Sequence, residues 1–198
     1  MASRQPFTRA APDERRQSLI EATARCLAER GAAGVSVRTI CAEAGVSAGL
    51  LRHYFGGVSE AIAETYRWTG RQIADALEAA VADAGKDQRA RLLAYLTGSF
   101  RPPIASPDLL ASYVAFWSLT RSDPAIAAVR TEIYGDFRKT LEELIAAYRP
   151  ALRDTHMPAV ALTALIDGLW LELSLGDAPF TPEQAEHLAE QWLDSLLG

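Results

Sequence analysis

Arg52, His53 and Tyr54 are consecutive, framed by Gly49 on one side and Gly56-Gly57 on the other. A guanidinium, an imidazole and a phenol this close together can present several hydrogen-bond donors to a phosphate or to the edge of a nucleic-acid base. Enzymatic chemistry is not what the chain offers. Its three histidines (His53, His156, His187) lie far apart, and none stands at metal-ligand spacing from another histidine or from a cysteine. No phosphate-binding P-loop and no GxGxxG occurs. Glu142-Glu143 and the glutamates between Glu183 and Glu190 suit solvated helix faces. The expectation is therefore a protein without catalytic residues, metal or cofactor.

The distribution of charge points the same way. The 198-residue chain carries a net charge of −5. Residues 1–57 hold eight arginines against five acids, a net of +3, which leaves −8 on the other 141 residues. Only the basic head is suited to a polyanion. With 49% hydrophobic and 23% charged residues, a chain of this length buries roughly 70% of its unfolded surface without needing disulfides. Cys26 and Cys41 sit on apolar helical segments and read as small core residues of a reducing compartment. No signal-like core opens the chain and no uninterrupted apolar window reaches membrane length, so a cytoplasmic protein without a membrane partner is expected.

These residues must be positioned by helices, because strand signals are nearly absent while 3.6-residue periodicity recurs throughout. A first helix opens at Pro12, with Asp13 and Glu14 at its positive end, and stops at Gly31. Residues 1–11 are expected to form an arm carrying Arg4 and Arg9. Ser36 is placed to cap a second helix that Gly45 ends, and a short third helix runs from 48 to about 55. A fourth runs from Val58 to about Ala84, followed by helices near 87–100, 107–121, 124–148, 157–175 and 182–197. Proline and glycine mark each break. The class is all-α, about nine helices, with a head over 13–73 and a larger helical body over 74–198.

Within the head, helix, Ala44-Gly45-Val46-Ser47 and short helix make a helix-turn-helix over 36–55. Gly45 suits the left-handed residue at the turn, and Ser47 is placed to cap the second helix. In that helix Leu51, Tyr54 and Phe55 fall on one face, at i, i+3 and i+4. Ala48 and Arg52 fall on the other, flanked by Gly49, Leu50 and His53. Small leading side chains followed by Arg and His fit the DNA major groove. Arg52 is placed to read a guanine edge or hold a phosphate, and Leu50 to meet a thymine methyl. Ser36, Arg38, His53 and the Tyr54 hydroxyl are placed for backbone phosphates.

At these residues the sequence resembles the TetR-type bacterial transcriptional regulators. Ser36-Val37-Arg38-Thr39-Ile40, Ala44-Gly45-Val46-Ser47, Ala48-Gly49 and Leu51-Arg52-His53-Tyr54-Phe55 carry the likeness, which covers roughly residues 13–73. Further along, 109–145 and 164–173 look like the subgroup containing the choline-responsive repressors of glycine-betaine synthesis. Two positions depart from the family pattern. Arg52 stands where a tyrosine is usual. Gly57-Val58 replaces Ser or Asp followed by a phosphate-reaching lysine, which shifts the expected backbone contacts to Arg4, Arg9 and Arg38.

The resemblance implies a homodimer on a palindromic double-stranded DNA operator, joined through the last two long helices, and a small-molecule effector bound inside the body. The sequence agrees with both. Residues 160–173 are apolar nearly all round, so they need covering on more than one side. The residues expected at the dimer interface are Leu165, Gly168, Leu169, Trp170, Leu188, Trp192 and Leu196. The expected ligand contacts are Trp68, Tyr113, Phe116, Trp117 and Tyr134, with Glu132 or Asp167 as an acid that would suit an organic cation. The alternative is a helical module that binds a small molecule or a protein partner and never touches DNA.

Overall fold

The computed structural model describes residues 12–198. Among them are nine α-helices and no strand: α1 (Pro12–Arg30), α2 (Val37–Ala44), α3 (Ala48–Phe55), α4 (Val58–Asp83), α5 (Gln88–Thr97), α6 (Pro107–Leu119), α7 (Pro124–Tyr148), α8 (His156–Ser174) and α9 (Pro182–Leu197). Short 3₁₀ turns at Ala32–Gly34 and Gly98–Phe100 join α1 to α2 and extend α5. The expected boundaries are recovered almost to the residue. α6, α7 and α9 each open on a proline, where the missing N–H costs nothing.

Hydrophobic burial divides into two cores. The smaller packs α1, α2, α3 and the start of α4 around Leu19, Ile20, Ile40, Leu51, Phe55 and Ala61. Here the stripe expected of α3 is realised: Leu51 and Phe55 are buried, Tyr54 is half-buried against this core, and Arg52 and His53 are exposed. The larger core gathers residues of α4 to α9, among them Tyr66, Leu92, Phe116, Ile126, Leu162 and Leu193. The long α4 serves both, contributing Ala61 to the first and Tyr66, Leu77 and Val81 to the second. A division at 73/74 therefore falls inside one continuous helix. Cys26 and Cys41 are free and buried, and burial pushes both thiols up.

Candidate nucleic-acid interface and ligand cavity

The turn between α2 and α3 is built by its own residues. Ser36 and Thr39 form a reciprocal cap: the Thr39 N–H donates to Ser36 Oγ at 3.2 Å, and the Ser36 N–H donates to Thr39 Oγ1 at 2.8 Å. Gly45 closes α2 in the left-handed region (φ 66°, ψ 32°), and the Val46 N–H reaches back to the Cys41 carbonyl at 2.9 Å. One expectation is met and one changes here. Ser36 caps α2 as its position predicts, its hydroxyl engaged within the cap. Ser47 precedes α3 but makes no side-chain cap bond, so its exposed hydroxyl stays free beside the exposed Ala48 and Gly49.

Charge in the head is more concentrated than the net of +3 conveys. Arg16 pairs with Glu64 and lies 5.3 Å from the Phe55 ring centre, tying α1 to α3 and α4. Arg25 pairs with Glu43 at 2.8 Å, and Arg30 lies 3.9 Å from Glu29. Arg38 and Arg52 are exposed and make no ion pair among the described residues. Two cations without an ion pair thus lie on the helix-turn-helix itself, one on each of its helices. A side chain at Gly49 would meet nothing closer than Ser47 Oγ at 3.8 Å, so the outward face of α3 is open at its start. His53 packs edge-on against Tyr54, ring centres 5.3 Å apart, and Leu50 is half-buried. Arg4 and Arg9 lie outside the described residues.

The body holds a cavity of about 390 Å³ among residues of α4, α5, α6, α7 and α8. Of the expected ligand residues, Tyr113 and Tyr134 line it. Phe116 does not: it is fully buried and stacked on Tyr66 at 4.3 Å. Trp117 packs edge-on behind Tyr113, at 6.1 Å. Trp68 packs against the head core and lines a separate crevice of about 200 Å³ beside α1 and α6. Trp170, expected at the dimer interface, instead turns inward, 6% exposed, and lines the cavity while its Nε1–H donates to the Ser99 carbonyl at 2.7 Å. Tyr95, Phe137, Thr163 and Ile166 also line the cavity. They come from three helices distant in sequence, and no local pattern marks them as a group.

Of the two acids considered, Glu132 faces outward and pairs with Arg67 at 3.3 Å. Asp167 lines the cavity and accepts the Tyr134 hydroxyl at 3.0 Å. Burial raises the Asp167 carboxyl to about 6, against the opposing pull of that hydrogen bond and of the Arg130 and Arg138 guanidiniums. Both arginines also lie near the Tyr134 ring, at 4.2 and 5.8 Å from its centre.

Outside the cavity, α8 and α9 leave an apolar face uncovered. On α8 the exposed residues Met157, Ala161, Ala164, Gly168, Leu171 and Leu175 recur every three or four positions, and Leu175 is 62% exposed. On α9, Trp192 is 51% exposed, next to Leu196. Leu165 and Leu188 are half-buried beside this face, whereas Leu169 is buried in the body's own core. α8 is also long and apolar enough to cross a membrane, yet its other face packs inward through Leu162, Ile166 and Trp170.

Comparison with known proteins joins the two halves. Residues 19–59 match the bacterial regulatory proteins of the tetR family, and residues 87–198 match the C-terminal region of BetI-type transcriptional repressors. The HTH-type transcriptional regulator BetI of Burkholderia cenocepacia is 32% identical over 185 residues, covering 92% of this chain and 94% of that protein. A solved structure described as a transcriptional regulator of Pseudomonas aeruginosa PAO1 is 38% identical, with a TM-score of 0.88 over 98% of this chain and 95% of that one. A regulator of Saccharomonospora viridis, solved in complex with choline, shares the fold at 22% identity, with a TM-score of 0.78 over 92% of this chain and 96% of that one. The chain belongs to the TetR family of DNA-binding transcriptional regulators and carries a C-terminal body of the BetI repressor type.

Proposed function

We propose that the protein is a homodimeric repressor that binds a two-fold operator through α3 and is released by a small organic cation held in the body's cavity. The head over 13–73 reads DNA, and the body over 74–198 binds the effector and the second subunit. The observation that carries the reading is the division of α3: Leu51 and Phe55 are buried while Arg52, His53, Ala48 and Gly49 face out. Arg52 would address a base edge, with Leu50 beside it. Ser47, Arg38, His53, the Tyr54 hydroxyl and the N–H groups behind Ser36 would address phosphates.

Two such helices must sit about 34 Å apart, or a multiple of it, to enter successive major grooves on one side of DNA. The exposed stripe of α8 with Trp192 and Leu196 supplies an apolar face for that pairing. Gly168 favours close approach, since a side chain there would meet no atom of its own chain within 4 Å.

The link to the head runs through α7, which lines the cavity. Ser59, in the first turn of α4, donates to Asp123 Oδ2 at the start of α7 at 2.5 Å, and Arg67 of α4 bridges Glu64 and Glu132. A ligand that shifts α7 would thereby move the helix behind α3, and by reciprocity operator DNA would weaken the ligand. The aromatic wall and the Asp167 carboxylate support a cation as that ligand.

The test is selection of bound sequences from a random duplex pool, followed by a salt titration of the best binder. A two-fold site, with log affinity falling against log salt by about 0.9 per phosphate neutralised, is the expected result. No enrichment by a folded dimer would leave the helical binding module as the function.

A further inference from the structure

The cavity is larger and more acidic than one small cation requires. At the roughly 30 Å³ that a non-hydrogen atom such as water's occupies in a liquid, about 390 Å³ holds a dozen or so such atoms. Its inner end is lined by Tyr113, Tyr134 and Trp170, all buried, around Asp167. Its rim, where the lining residues of α4 and α7 are exposed, carries Glu78, Asp136 and Glu143 against one base, Lys139. None of those three rim carboxylates makes an ion pair among the described residues.

Acid at both ends of an apolar passage needs explaining. From Tyr134 to Glu143 is nine residues along α7, about 14 Å at the helical rise. A second crevice of α4, α5 and α7 residues, Arg91 among them, continues past the rim and shares Glu78, Tyr95, Thr140 and Glu143 with the first cavity. At the inner end Tyr113 is 5% exposed, and its ring meets that of Trp170 edge-on, with centres 5.0 Å apart.

We propose that the effector is an elongated dication, a flexible chain with a positive centre at each end, of the diamine or polyamine class. One centre sits among the inner aromatic rings against Asp167, and the other lies at the rim between Glu78 on α4 and Glu143 on α7. The apolar chain between them runs past Leu77, Ile133 and Phe137. Spanning α4 and α7, such a molecule sets the distance between the helix that enters the head and the helix bonded to it at Ser59–Asp123. This rests on the reading of the cavity as the site of a cationic effector.

The experiment titrates the full-length protein by calorimetry with straight-chain diamines of about three to twelve carbons, with monoamines of equal length, and with tetramethylammonium. The expected result is a length optimum at which the diamine binds about tenfold or more tighter than the matching monoamine. In the Glu78→Gln/Glu143→Gln double variant that advantage falls below about threefold. Both positions are exposed on helix surfaces, so the variant should fold, and its helical circular dichroism is compared with the parent's. A monoamine or tetramethylammonium that binds as tightly as every diamine overturns the second centre and leaves the single-cation reading standing. If no cation binds to a chain that still binds its operator, both readings fail.

Discussion

Among individual residues, the two unneutralised arginines of the helix-turn-helix carry different predictions. Arg52 stands on the outward face of α3 and Arg38 at the start of α2. Arg52→Ala should lower operator affinity by about 1–3 kcal/mol and relax preference at one position of each half-site. Arg38→Ala should weaken specific and unspecific duplexes alike and reduce the salt slope by about one per site. Competition binding across a panel of single-base operator variants separates the two. Asp167 carries the opposite kind of prediction, a gain in stability at the expense of function. Its carboxyl is raised in the folded protein, so ionising it there costs more than in the unfolded chain. That penalty is absent near pH 4, grows as pH rises, and is complete above about pH 6. Asp167→Asn, whose amide oxygen can still accept the Tyr134 hydroxyl, should therefore raise the melting temperature at pH 7 and not at pH 4. It should also weaken cation binding at pH 7. Equal melting shifts at both pH values would mean that Asp167 is not a strained carboxylate.

Where helices begin and end was legible in the sequence, because Pro, Gly, Ser and Asp act locally. Gly31, Gly45, Pro107 and Pro124 each mark a boundary that the structure keeps. Which way a helix turns its residues was legible only where polar and apolar positions alternate. In α3 the burial of Leu51 and Phe55 follows directly from spacing. In α8 nearly every residue from 160 to 173 is apolar, so spacing alone could not say that Trp170 points inward while Gly168 and Leu171 point out. Contacts between helices were not legible at all. In the sequence, Asp123 is marked only by preceding Pro124. It caps α7, accepting from Ala125 N and Ile126 N at 2.9 and 3.3 Å, and it also accepts Ser59, whose hydroxyl holds its carboxyl below the usual range. Asp123→Ala should therefore cost about 1–2 kcal/mol, the value of a good cap, and Ser59→Ala less. Because the Asp123 pKa is lowered on folding, that stabilisation is full above the ordinary carboxylate range, declines as pH falls below it and is lost as pH passes the lowered folded value. Urea unfolding of both variants at pH 7 and pH 3 measures the difference. An Asp123→Ala loss as large at pH 3 as at pH 7 would have to come from something other than the carboxylate.

For the whole molecule, the decisive question is whether the outward face of α8 and α9 is covered. Leu171, Leu175 and Trp192 are each at least 40% exposed, and the two leucines continue the row of small residues at Ala161, Ala164 and Gly168. A chain that left this face in water would forgo about 25 cal/mol for every square ångström of apolar surface it could bury. The proposed pairing of two copies would cover the small-residue rows of both at once and, through the two-fold axis, fix the separation of the two heads. Affinity for a two-fold operator then depends on residues far from DNA. Trp192→Glu places a charge at the centre of the paired face and leaves the chain's own core intact, since Trp192 already lies on the surface. Sedimentation of this variant should give a monomer with unchanged helical circular dichroism, and its operator affinity should fall by about a hundredfold or more as two-headed binding is lost. Half-site DNA should still bind weakly, with about half the salt slope of the full operator. A variant that remained dimeric would assign the subunit contact to another face, and the stripe on α8 would then have to be covered by a different partner.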